Sequence, residues 1–148
     1  MALTIEQALD RIEINDVLVQ YAVHMDAGDF DALAAIFSEG ATYDIAPDPG
    51  IVPVPARGRA AIRKILSDRY AEVSKTAQRR HLITNVSVDK LAGDQASARC
   101  FLTVLTIPKS GGPAELRGTG VYFDKLSRVG GNWRITDRLL VLDVLAPS

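Results

Sequence analysis

From Arg80 to its end, the chain falls into four runs of alternating apolar and polar residues. These are His81 to Asp89, Ala96 to Ile107, Glu115 to Ser127 and Trp133 to Val144, separated by the short segments AGD, PKSGGP and VGGN. Period-two alternation is the pattern of a half-buried strand, and turns this short can join only antiparallel neighbours. VGGN at 129–132 is a tight hairpin signal. The second half of the chain is therefore constrained to one antiparallel sheet with an apolar face that the first half must cover. In the first of these strands, Leu82, Thr84, Val86 and Val88 fall on one side, and His81, Ile83, Asn85 and Ser87 on the other.

The first half supplies helices. Thr4 and Gln7 form a capping-box pattern. Apolar residues then recur at helical spacing through Ile5, Ala8, Leu9, Ile12, Ile14, Val17, Leu18, Tyr21 and Met25, with one shift of phase near Asn15. This predicts a helix over about 5–25, stopped by Gly28. Asp29 caps a second helix whose apolar face is Phe30, Leu33, Ile36 and Phe37, ending at Gly40. Ala41 to Ile45 reads as a short strand. The following APDPGIVPVPARG holds four prolines and two glycines, so it is a loop: either the rim or lid of a site, or a plain connector. A third helix is predicted over about 59–73, with Ile62, Ile65, Leu66 and Arg69 on its stripe, followed by a turn from Ser74 to Gln78.

Helices first and strands after argue for an α+β fold in a single domain over 1–148. A twisted, mostly antiparallel sheet wrapped around a long N-terminal helix makes a half-open cone whose inside can hold a small molecule. The charges argue against other partners. There are 17 basic and 18 acidic residues, a net charge of -1, which makes no electrostatic case for nucleic acid or an anionic membrane. The basic residues at Arg57, Arg59, Arg63, Lys64, Arg79 and Arg80 read as a solvated helix face and loop. Cys100 is the single cysteine, which excludes an intrachain disulfide and fits a reducing compartment. The N-terminus becomes charged too early for a signal peptide, and no apolar run reaches membrane-spanning length. A cytoplasmic location is the expectation.

Two groups suggest chemistry. The apolar pattern around Asp26 carries its carboxylate inward, and His81 heads the first long strand. Imidazole titrates near neutrality, so one His can take and return a proton, and a carboxylate beside it fixes its tautomer. Tyr21 and Tyr43 are candidate donors to a carbonyl oxygen that gains negative charge. Taken singly, each has an ordinary use: Asp26 in turn chemistry before Ala-Gly, His81 as a structural histidine, Tyr21 in the core. A strict helix also separates Tyr21 from Asp26 by about 140°. Two His and one Cys make no convincing metal set, and no cofactor is expected. Arg138 could meet an anionic group, although outward strand positions often carry arginine.

Read together, the long first helix, Tyr21…Asp26-Ala-Gly-Asp29-x-Asp31-x-Leu33…Phe37, then Gly58-Arg-x-x-Ile62, His81-x-x-x-Asn85-x-x-Val88 and Gly-x-Trp133-x-Ile135 resemble the SnoaL-like branch of the nuclear transport factor 2-like superfamily. The resemblance implies a cystatin-like cone in which Asp26 and His81 take the places of the catalytic Asp and His of dehydratase-type members, and Tyr21 that of a first-helix tyrosine. Scytalone dehydratase has a second histidine in the register where Cys100 stands here. The implied activity is a cofactor-free lyase or isomerase, dehydratase-like, acting on a small apolar cyclic or aromatic hydroxy or keto compound. The alternative is a non-catalytic small-molecule-binding or oligomeric accessory module. Apolar positions such as Leu82, Val86 and Val88, with the tail from Leu139 to Leu145, suggest a homodimer or homotrimer that buries sheet surface.

Overall fold

The structure, a computed structural model, describes residues 2–144. Helix α1 spans Ile5–Ala27, α2 Phe30–Ala35 and α3 Arg59–Val73; the strands are β1 Phe37–Ala46, β2 Ala56–Arg57, β3 Ala77–Ala92, β4 Gln95–Pro108, β5 Glu115–Val129 and β6 Asn132–Leu142. They form one six-stranded sheet in the order β2-β1-β6-β5-β4-β3. Only the β1–β6 pair is parallel; the others are antiparallel. With α1 packed across β3 and β6, the sheet curls into the expected cone-shaped α+β domain. Among the described residues, no helix is long and apolar enough to cross a membrane.

The helix starts and stops follow local chemistry. The Thr4 hydroxyl accepts from the Gln7 amide at 3.1 Å while the Gln7 side chain accepts from the Thr4 amide at 3.0 Å, completing the capping box. Helix α1 ends in a Schellman turn: Gly28 adopts φ 73°, its N–H reaches Met25 O, and the Asp29 N–H reaches His24 O at 3.0 Å. Asp29 then caps α2 by accepting from the Ala32 amide.

Three expectations need correction. Helix α2 ends at Ala35, and Phe37 and Gly40 belong to β1. The last turn of the expected helix loses here to pairing with β6, which buries Phe37 completely. The apolar residues of the first turns of α1, Ile5, Leu9 and Ile12, are exposed; the buried stripe is Asp10, Ile14, Leu18, Tyr21 and Met25. The phase shift near Asn15 thus begins a turn earlier, with Asp10 on the inner face. Finally, Val86 and Val88 pack against the core while Leu82 stays outside. A bulge between Thr84 and Ser87, with Asn85 at φ 52°, inserts one extra residue and reverses which side faces inward. Leu145 of the apolar tail lies outside the described residues.

Asp10 explains how an acid fits the inner face. It accepts from the Trp133 indole N–H at 3.2 Å and is paired with Arg128, whose guanidinium also lies 4.8 Å from the Trp133 ring centre. The hydrogen bond from Arg128 holds its carboxyl below the usual range, against the opposing effect of burial. A lowered folded-state pKa means stability that is present above the ordinary aspartate value, about pH 4, and is lost as pH falls through the folded value. Asp10→Ala is expected to leave the Trp133 N–H unpaired, at a cost of about 1–3 kcal/mol, and to flatten the acid limb of stability. Urea denaturation between pH 3 and pH 7 measures both effects.

Candidate active site

The two residues singled out from distant parts of the chain meet. His81 Nδ1 lies 2.5 Å from Asp26 Oδ1, and the His81 backbone N–H donates to Asp26 Oδ2 at 2.9 Å. The side chains are 7% and 13% exposed. Asp26 sits in the last turn of α1, where the helix dipole disfavours a carboxylate; the two donors from His81 offset that. The Schellman turn at Gly28 directs the chain away immediately afterwards, and a Cβ on Gly28 would come within 3.0 Å of the Tyr70 ring. An ionised carboxylate can only accept, so Nδ1 carries the hydrogen in this contact.

A cavity of about 530 Å³ is lined by His81 but not by Asp26, which contacts the ring at Nδ1. Its apolar wall includes Met25, Leu66, Leu102 and Leu140, and its rim includes Pro49, Ile51 and Val52 of the proline-rich segment. Three residues of the segment read as either rim or connector thus line the cavity. Tyr21, Tyr43 and Tyr122 also line the cavity. The hydroxyls of Tyr21 and Tyr43 are 3.3 Å apart. Burial, reinforced by the neighbouring Tyr21, pushes the phenols of Tyr43 and Tyr122 well above their ordinary values. They remain protonated hydrogen-bond donors at neutral pH. The angular gap between Tyr21 and Asp26 on α1 is bridged by the cavity itself: Tyr21 reaches it directly, Asp26 through His81.

Arg138 is not at an outward position. It is fully buried, with Nε and Nη2 donating to the two Asp124 oxygens at 2.7 and 2.9 Å. Its guanidinium lies 4.3 Å from the Tyr21 ring centre and 4.0 Å from that of Tyr122. Burial disfavours its charge, but the Asp124 carboxylate outweighs burial and raises its pKa further. Alternation counted from Trp133 and Ile135 puts Arg138 outside. The register shift opposite Lys125 and Leu126 turns it inward. Tyr122 and Asp124, absent from the sequence reading as site residues, were signalled by their period-two spacing with Leu126, all three buried.

Cys100 is buried and pairs across strands with Tyr122. Burial pushes its thiol up to about 11, so it is a protonated core group rather than an acid–base partner. Among the described residues, no group of three or more His, Cys, Asp or Glu side chains is arranged to hold a metal ion.

The cone has the cystatin-like, nuclear transport factor 2-like fold that solved structures of similar chains share. The chain belongs to the SnoaL-like domain family, whose model matches residues 6–139. No curated protein sequence matches it significantly. Solved structures do. Rv3472 of Mycobacterium tuberculosis, a protein of unknown function solved as its D26N form, is 26% identical with a TM-score of 0.79, over 95% of this chain and 75% of that one. A candidate aromatic ring hydroxylase from Novosphingobium aromaticivorans is 29% identical with a TM-score of 0.75, over 97% and 94%. A candidate scytalone dehydratase from the same organism, at 23% identity and a TM-score of 0.76 over 93% and 86%, shares the fold.

The buried pair makes a sharp stability test. Arg138→Met leaves the Asp124 charge buried and uncompensated, and is expected to cost about 3–5 kcal/mol. Arg138→Met combined with Asp124→Leu should recover most of that loss. Chemical denaturation of the single and double variants checks the coupling.

Proposed function

We propose that the protein is a cofactor-independent, dehydratase-like lyase or isomerase acting on a small apolar cyclic or aromatic hydroxy or keto compound. The observation that carries this is the 2.5 Å contact between Asp26 and His81 at the wall of a largely apolar cavity. In this reading His81 Nε2 removes a proton from a carbon next to a carbonyl. The electron pair left behind forms a double bond and expels hydroxide from the neighbouring carbon. The imidazolium returns its proton to that hydroxide, which leaves as water. Without a leaving group the same proton transfers give isomerisation.

Asp26 stabilises the imidazolium and keeps the basic nitrogen turned to the cavity. Tyr21, Tyr43 and Tyr122 offer donors to the carbonyl oxygen as charge develops on it, and the buried Arg138 behind two of those rings favours negative charge there. The aromatic name of the 29%-identical Novosphingobium structure agrees with a ring-bearing substrate.

The order of damage follows. On a substrate found by screening cyclic hydroxy-ketones and phenols, His81→Gln should lose at least about 10²–10⁴-fold in turnover, the usual contribution of general acid–base catalysis. Asp26→Asn should come next, because an amide N–H facing Nδ1 reverses the tautomer and presents an N–H to the cavity instead of a lone pair. Tyr21→Phe should cost least, since other hydroxyls remain. Full turnover by His81→Gln would remove the pair from the mechanism and favour a binding module.

We also propose that the chain assembles as a homodimer or homotrimer through the outer sheet face. Leu82, Phe101 and Phe123 are exposed there on three adjacent strands, a patch that a partner would cover. Light scattering should return two or three times 16.0 kDa; the monomer mass would reject the assembly.

A further inference from the structure

The cavity lining carries charge that the chemistry above does not use. On α3, Leu66, Arg69 and Val73 follow helical spacing; on β3, Ala77, Arg79 and His81 follow strand spacing; all six line the cavity. The two arginines thus arrive on the same wall as the candidate base, one of them two residues before it. Arg79 Nη2 and Arg69 Nε are buried and have no hydrogen-bond partner among the described residues. Neither side chain forms an ion pair among the described residues, whereas Arg63, Arg99, Arg117, Arg128 and Arg138 do.

The nearby carboxylates are engaged elsewhere. Both oxygens of Asp26 accept from His81. Glu72, which also lines the cavity, pairs with Lys75 at 2.6 Å. Arg117, a third lining arginine, sits on the exposed side, with Glu115 at 3.8 Å. Two neighbouring guanidiniums, partly desolvated and without a contacting carboxylate among the described residues, repel each other: burial first, and then Arg69, lower the pKa of Arg79, against smaller opposing effects of Tyr21, Asp26 and Tyr122. An anion between the two side chains would relieve that repulsion.

We propose that Arg69 and Arg79 form an anion subsite that takes the carboxylate of an aromatic or alicyclic acid, so that the compound presented to His81 is a carboxylic acid whose ring lies against the tyrosine wall. A planar carboxylate matches the fork of a guanidinium. A phosphate dianion would ask for more donors than this mostly apolar wall offers. The proposal rests on reading the cavity as a substrate site, and it is tested by binding alone.

The probes are 2-naphthoate and its neutral counterpart 2-naphthylmethanol, titrated by calorimetry into the full chain. The acid is expected to bind at least about tenfold more tightly than the alcohol, the size of a charge-assisted contact. Arg79→Met and Arg69→Met should each remove most of that preference and leave the alcohol's affinity unchanged, which also reports that the variants are folded. Arg79→Lys should keep part of it, and His81→Gln should keep all of it. Equal affinity for the two probes, no binding of the acid, or an acid preference that survives in both arginine variants overturns the proposal. An acid preference retained beside a catalytically inert His81 would overturn the lyase reading and leave the anion subsite standing.

Discussion

Arg138 and Asp124 form a fully buried, bidentate ion pair inside the cone, and the aromatic lining of the cavity is arranged around it. A charge pair in such surroundings gains its attraction at the expense of lost hydration, so it adds little net stability compared with well-packed apolar residues. What it supplies is position. The guanidinium packs against the faces of Tyr21 and Tyr122 and joins α1, β5 and β6 at one point. Tyr21 is further held by its hydroxyl contact with Tyr43 on β1. Two of the three phenols are thus held by one buried cation, and the third is held through Tyr21.

The Asp26–His81 contact is organised differently. It joins the end of one element to the beginning of another, and it uses both carboxylate oxygens, one on the ring and one on the backbone. The backbone contact fixes β3 relative to α1 whatever the ring does. The ring contact then sets the direction of the imidazole. Rigid attachment of both partners is what a proton-transferring pair needs, since small displacements at the reacting atoms cost rate.

Much of this was legible in the sequence. The boundaries of α1 and α3, the four long strands and their turns followed from periodicity, caps and glycines. Asp26 and His81 were found because each broke its local pattern: a carboxylate on an apolar helix stripe, and an imidazole at the head of a strand. What failed did so for one physical reason. At Asn85 and near Thr136 an extra residue enters a strand, and every side chain beyond it changes sides. Strict alternation put Val86 and Val88 outside and left Arg138 facing solvent, and the structure reverses all three. A bulge depends on how two strands pair, so one strand's own residues do not reveal it. The unpaired state of Arg69 and Arg79 was hidden likewise, because a sequence shows charges but not which of them find partners.

The proline-rich rim has a consequence of its own. Pro47, Pro49, Pro53 and Pro55 restrict a segment that, apart from the short β2, has no regular structure. Each proline removes backbone freedom from the unfolded chain as well as the folded one. A guest entering past Pro49, Ile51 and Val52 therefore meets a lip with few alternative shapes, and little of its binding free energy goes into ordering a floppy loop. Ile51 is 57% exposed at that lip. Covering it with a flat hydrocarbon surface gains from the hydrophobic effect, whereas covering it with a hydrated group does not. Under the proposed function, the ring of a substrate would gain by lying against this lip.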